Sequence, residues 1–212
     1  MSLSKVQAES IDLTATYAFS GTVTDTAVRN LVLLQTLTAS SSATLSFTSG
    51  IDNTYQSYVF KFINIHPSAS NQMEFQGSVN GGTGYGVTIT STGFKAHHLE
   101  DDSATTLAYT PNQDVAQGTG YHEIFQQVGH DEARNSACGE LQLFNPSSTT
   151  FVKHFFSRSS ERTSDAHYAI SQFSAGYFNT TSAINALQFR MASGNIDSGI
   201  IKMYGVLWSL MV

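Results

Sequence analysis

The densest set of metal-ligating side chains in the chain is His97-His98 followed by Glu100, Asp101 and Asp102. A wider second set holds His122, Glu123, His130, Asp131 and Glu132. An ion needs ligands that converge on one point. Neighbouring residues of a strand point to opposite faces, so His97 and His98 would not share an ion there. Neither set has the spacing of an Asp-rich calcium loop. Both are expected to be polar loops or sheet rims, with no metal and no cofactor.

Covalent and acid–base chemistry find equally little footing. No Gly-x-Ser-x-Gly elbow is present. The single cysteine, Cys138, lies in Ala137-Cys138-Gly139, unlike the local signatures around catalytic cysteines. Glycoside hydrolysis needs two carboxylates flanking one bond. Glu74 and Glu140 fall at outward positions of predicted strands, where carboxylates ordinarily keep a sheet soluble. Gly81-Gly82-Thr83-Gly84 lacks the lysine and the helix of a phosphate loop. The expectation is no catalytic residue and no enzyme. Sugar binding is the chemistry that the residue types fit best, since it needs an aromatic body with Asn, Asp or His nearby for the hydroxyls. Tyr85 near Asn80, the pair His97 and His98, and Tyr109 near Asn112 are the candidate glycan contacts.

The elements that must position these residues read as strands. Apolar and polar residues alternate through much of the chain. In residues 57–65, Tyr58, Phe60 and Phe62 share one face, and Val59, Ile63 and Ile65 the other. Met73, Phe75 and Val79 alternate with polar residues before Asn80-Gly81-Gly82, a turn that places Asn and Gly where positive φ is needed. Residues 97–117 lack a strong period and are expected to form a long excursion, with a short helix or strand near 105–109. Strand signals resume at 121–128 and continue to the end, and Gly176 is read as a bulge in the strand of residues 167–178. The sum is about nine to eleven strands with turns every 8–12 residues or so, the spacing of a sandwich or barrel. The expected fold is all-β, an antiparallel jelly-roll-like sandwich spanning 31–212. Residues 1–30 read as an extended N-terminal arm for assembly, with Ile11, Leu13, Tyr17 and Phe19 as its apolar contacts, or else as an edge strand of the same domain.

Composition narrows the partners. Charged residues are only 12% of the 212, and serine and threonine make up roughly a quarter, a mix suited to strands and turns. The net charge is −6, with no cluster of Lys and Arg, which argues against nucleic acid. No apolar run is long enough to span a bilayer. The first residues lack the apolar core of a signal peptide, so synthesis in a host cytoplasm is expected.

Several phrases carry a family resemblance. Met1-Ser2-Leu3-Ser4-Lys5-Val6-Gln7-Ala8-Glu9-Ser10-Ile11-Asp12-Leu13 and Tyr17-Ala18-Phe19-Ser20-Gly21-Thr22-Val23-Thr24 resemble the opening of small fibre-like proteins of marine and freshwater phages. Leu141-Gln142-Leu143-Phe144-Asn145-Pro146-Ser147-Ser148-Thr149-Thr150, Gly176-Tyr177-Phe178-Asn179-Thr180-Thr181-Ser182-Ala183-Ile184-Asn185-Ala186 and Ser193-Gly194-Asn195-Ile196-Asp197-Ser198-Gly199, then Lys202-Met203-Tyr204-Gly205, look like a recurring virion domain of tailed bacteriophages. The resemblance implies a virion structural protein: a tail fibre or baseplate adhesion component, a capsid decoration protein, or, third, a module that depolymerises polysaccharide. Closed symmetry is the usual state of such parts, so a homo-oligomer, a trimer, is expected, with other virion proteins and host surface glycan as partners; the resemblance implies no catalytic residues.

Overall fold

The computed structural model describes residues 31–164 and 167–206. The arm contacts Ile11, Leu13, Tyr17 and Phe19 lie outside the described residues. Within them the alternating pattern becomes twelve strands: β1 (Leu31–Ser42), β2 (Leu45–Phe47), β3 (Ser57–Pro67), β4 (Asn71–Ser78), β5 (Ile89–Leu99), β6 (Thr105–Tyr109), β7 (His122–Val128), β8 (Ala137–Phe144), β9 (Lys153–Arg162), β10 (Tyr168–Phe178), β11 (Ala186–Met191) and β12 (Ile196–Val206). No helix among the described residues is long and apolar enough to cross a membrane.

The strands form two antiparallel sheets packed face to face, an all-β sandwich. One has eight strands in the order β1-β12-β3-β8-β9-β10-β5-β6, the other four in the order β2-β11-β4-β7. Phenylalanines knit the two together. Phe189 of β11 meets Phe62 of β3 edge to face at 5.2 Å, and Phe47 meets Phe60 the same way at 5.2 Å. Phe75 of β4 meets Phe155 of β9 at 5.0 Å. Edge-to-face contact sets the positive rim of one ring against the negative face of another. Each fully buried ring removes enough apolar surface from water to contribute about 1.5–3 kcal/mol.

Three sequence readings change. Ile65 is fully buried with Tyr58, Phe60 and Phe62, not on the face opposite them. The β3–β8 register shifts between Phe62 and Ile65, and Asn64 takes φ +50, so the strand regains its inward phase after the irregularity. Gly176 is not a bulge, because β10 pairs continuously with β5 and β9 across it. A Cβ there would lie 2.5 Å from the Thr90 carbonyl oxygen and 2.8 Å from the Phe155 ring. Close packing therefore demands the glycine. Finally, His97 and His98 belong to β5, whose last three residues, His97 to Leu99, fall within the expected excursion.

Candidate functional site: a furrowed sheet face

Residues directly opposite on antiparallel strands stand on the same face of a sheet. Following partners across the eight-stranded sheet gives one line: Thr36, Lys202, Lys61, Glu140, Arg158, Phe173, Phe94 and Tyr109. The line lies on the outer face, away from the second sheet. Its β9-to-β6 part is a ridge. Phe173 and Phe94 stack with centroids 5.0 Å apart and planes 11° from parallel. The Arg158 guanidinium sits 5.3 Å from the Phe173 centroid, on the ring's other neighbouring strand. Phe94 is 49% exposed and Tyr109 60%, so these rings stand in water rather than in a core.

On either side of the ridge the floor drops to small residues on β10 and β5, with Phe156 of β9 and Leu107 of β6 standing at its ends. The next line contains Phe156, Ala175 and Thr92, and beyond it stand His154 and Tyr177, whose rings meet at 5.8 Å. On the other flank run Ser160, Ser171, Ala96 and Leu107. Large lines alternating with small ones corrugate the face. The furrow beside Phe94, Phe173 and Arg158 holds about 500 Å³, and Phe156 lines it from the β9 side. A cavity of about 360 Å³ lies at Thr90, His154 and Tyr177, and one of about 560 Å³ at Ala96, Leu107 and Ser171.

The charges on the ridge are unequally matched. The Lys61 ammonium donates to Glu140. Arg158 faces Glu140 across β8 and β9, yet among the described residues no carboxylate bonds it. Arg158 thus presents a planar cation at the furrow wall, a shape suited to two-point contact with a carboxylate.

The glycan contacts expected from sequence are dispersed. Tyr109 alone joins the central furrow, and its hydroxyl donates to Asp114. His97 and His98 point to opposite faces of β5. His98 meets Asp102 at 3.0 Å, while the His97 ring packs on Tyr168 at 4.9 Å. Tyr85 lines a separate loop cavity with Asn80 and Asn179, and its hydroxyl is buried without a partner among the described residues. Asn112 is exposed in the 3-10 turn Pro111–Gln113 and lines none of these furrows. Phe94, Phe156, Arg158 and Phe173 were missed. Their signal was polar–aromatic alternation in β5, β9 and β10, but register alone aligns them.

Beneath the same strands the interior is polar. The Glu161 carboxylate accepts from the backbone N–H groups of Gln126 and Gln127 at 2.8 and 2.9 Å, and from the Ser159 hydroxyl at 2.5 Å. Burial, partly offset by those donors, pushes Glu161 up to about 7. Burial and the neighbouring Glu161 charge push Glu123 up to about 7 as well. Buried His122 sits between the hydroxyls of Ser91 and Ser174, each at 3.2 Å, and burial lowers it to about 4. Glu74 and Glu140 stand on different sheets, engaged by Arg190 at 3.1 Å and by Lys61, so they do not flank one substrate. Among the described residues no three His, Cys, Asp or Glu side chains gather as a metal site. His130 instead bonds Ser70 at 2.8 Å, Asp131 accepts from Asn135 at 2.6 Å, and Glu132 accepts from Arg162 at 3.1 Å.

Comparison with known protein families, with curated proteins and with solved structures finds no match to the chain.

Proposed function

We propose that the protein is a non-enzymatic structural component of a tailed-phage particle. In this reading it is a tail fibre or baseplate part that touches the host surface through the furrowed face. The observation that carries it is the ridge of Arg158, Phe173, Phe94 and Tyr109 standing exposed beside a furrow of about 500 Å³. Exposed rings flanking a groove mark a recognition surface rather than a core. The raised carboxylates Glu123 and Glu161 line none of the three furrows of this face.

The same proposal takes the fold as a jelly roll with two insertions. Setting β5, β6, β9 and β10 aside leaves eight strands. Counted in chain order, they lie as 1-8-3-6 in one sheet and 2-7-4-5 in the other. First pairs with last, second with seventh, third with sixth and fourth with fifth. That is one long hairpin wrapped around a core, the pattern of a double Greek key. The four inserted strands widen one sheet and supply most of the furrowed face. The phage setting rests on the sequence phrases quoted above.

Immunogold electron microscopy of purified particles tests the reading. Label on the tail or its fibres is the expected result. Label over the head would replace adhesion with capsid decoration, and particles free of label would end the virion assignment.

A further inference from the structure

We infer that the furrow along Phe94, Phe173 and Arg158 binds an acidic polysaccharide with intermittent carboxylates, gripping sugar rings between aromatic walls and one carboxylate on Arg158. This rests on the adhesive reading above and names its ligand class.

Shape comes first. The furrow is shallow and open, with Ala175 and Thr92 as its floor, rings on its flanks and Phe156 towards β9. A chain of linked rings, apolar on their C–H faces and polar at their rims, fits between aromatic side chains above small residues. Polar partners for the rims are the Thr92 hydroxyl in the furrow itself and the Tyr177 hydroxyl and His154 ring in the adjoining cavity, which shares Thr92 and Ala175 with it.

Charge selects among such chains. The protein as a whole carries −6. On the ridge line, however, Lys202, Lys61 and Arg158 face one carboxylate, Glu140, which Lys61 already engages. Among the described residues neither Arg158 nor Lys202 is bonded to a carboxylate. A neutral polysaccharide would leave Arg158 unused in the wall. A nucleic acid, with a charge at every phosphate, would meet too few cations and a net repulsion. A polymer with carboxylates spaced by uncharged sugars matches one free guanidinium per furrow. The Arg158 guanidinium over the Phe173 ring has one contact already made, so it loses less freedom on pairing than a loose side chain.

Affinity electrophoresis of the purified full-length protein tests this in gels containing hyaluronan, unsulfated chondroitin or heparosan, whose carboxylates alternate with uncharged sugars, or neutral dextran or a thymidine oligonucleotide. Retardation by at least one acidic polysaccharide, and none by dextran, is expected. Arg158→Ala and Phe94→Ala should each weaken it at least tenfold with unchanged melting temperature, and Arg158→Lys should fall between. Ala175→Trp, which fills the floor, should abolish it. Absence of retardation by all three acidic chains, equal retardation by dextran, or retention in Arg158→Ala and Ala175→Trp would overturn the inference. So would retardation by the oligonucleotide that is lost in Arg158→Ala, which would mark a nucleic-acid groove. Each of these failures leaves particle labelling untouched, so the ligand assignment and the adhesive reading can fail separately.

Discussion

The sandwich has two unlike halves. Where β2-β11-β4-β7 covers β12, β3 and β8, the interior is almost wholly aromatic and aliphatic, built on Phe47, Phe60, Phe62, Phe75 and Phe189. Under β9, β10 and β5 the interior holds Ser157, Ser159, Glu161, Gln172, Ser174 and Gln113. A loop seals this second half. The Thr110 N–H donates to the Gly93 carbonyl at 3.0 Å, and the Ser91 hydroxyl donates to the Gln113 carbonyl at 2.7 Å. The polarity is reversed outside, where the second half carries the rings of the furrowed face. Apolar burial stabilises the first half. The second depends on hydrogen bonds, which contribute less each but cost more to break, and it leaves the Gln113 and Gln172 side-chain oxygens without a partner among the described residues. Its outer face is left free to carry rings in water.

Removing Phe189 should break the comparison most severely. Its ring touches Phe47, Phe60, Phe62 and Phe75, so Phe189→Ala should cost about 3–5 kcal/mol by urea unfolding. A loss under 1 kcal/mol would mean that the aromatic half is not where stability resides. Gly176→Ala strikes where β10 must pass both Thr90 and Phe155 closely. Overpacking there should cost about 1–3 kcal/mol, and a neutral result would return Gly176 to the status of a tolerant position.

A pH series sharpens the contrast between the halves. Glu161 and Glu123, ordinarily 4.5, are raised to about 7. The native protein therefore holds protons that the unfolded chain has released. Their contribution is fully present below 4.5 and is lost as pH rises through about 7. His122 works the other way: lowered from 6.5 to about 4, it removes stability as pH falls through that window. Two acids against one imidazole leave this cluster more stable near pH 5 than near pH 7.5. Lys95, which donates to Gln126 at 2.7 Å, moderates both acids. Glu161→Gln keeps an acceptor for the two N–H groups and removes the titration. The difference between its urea midpoint and that of the unsubstituted protein should favour the variant above pH 7 and vanish or reverse near pH 5. A constant difference would show that Glu161 is ionised throughout. The smallest effect on stability belongs to Phe94→Ser. It should shift unfolding by no more than about 0.5 kcal/mol, and a larger loss would make the outer rings part of the fold rather than of a surface.

Strand content was legible in the alternating runs, and so was the aromatic core, because Phe60, Phe62, Phe75 and Phe189 recur at period two beside turn residues. The second half was harder to read. In β5 the inward positions Ser91, Gly93, Lys95 and His97 are polar or absent, since a loop rather than a core covers them, and the His-His-Leu-Glu ending at Glu100 resembles a loop. Nothing local marks Glu123 and Glu161 as buried, because burial of a carboxylate depends on donors that arrive from β7 and β9. The ridge was illegible for a further reason. Its members are scattered between residues 36 and 202, and pairing register alone places them in line.

That line has a fixed pitch. Adjacent strands lie about 4.8 Å apart, set by backbone hydrogen bonds and not by side chains. This is close to the length of one sugar residue, so a polymer laid across the strands would meet a new side chain with each unit, like a rule against its graduations. Exchanging a ring for a cation on one strand would change which unit is recognised there and leave the interval to the next unchanged. The backbone ladder thereby keeps the spacing constant while the side chains remain free to vary.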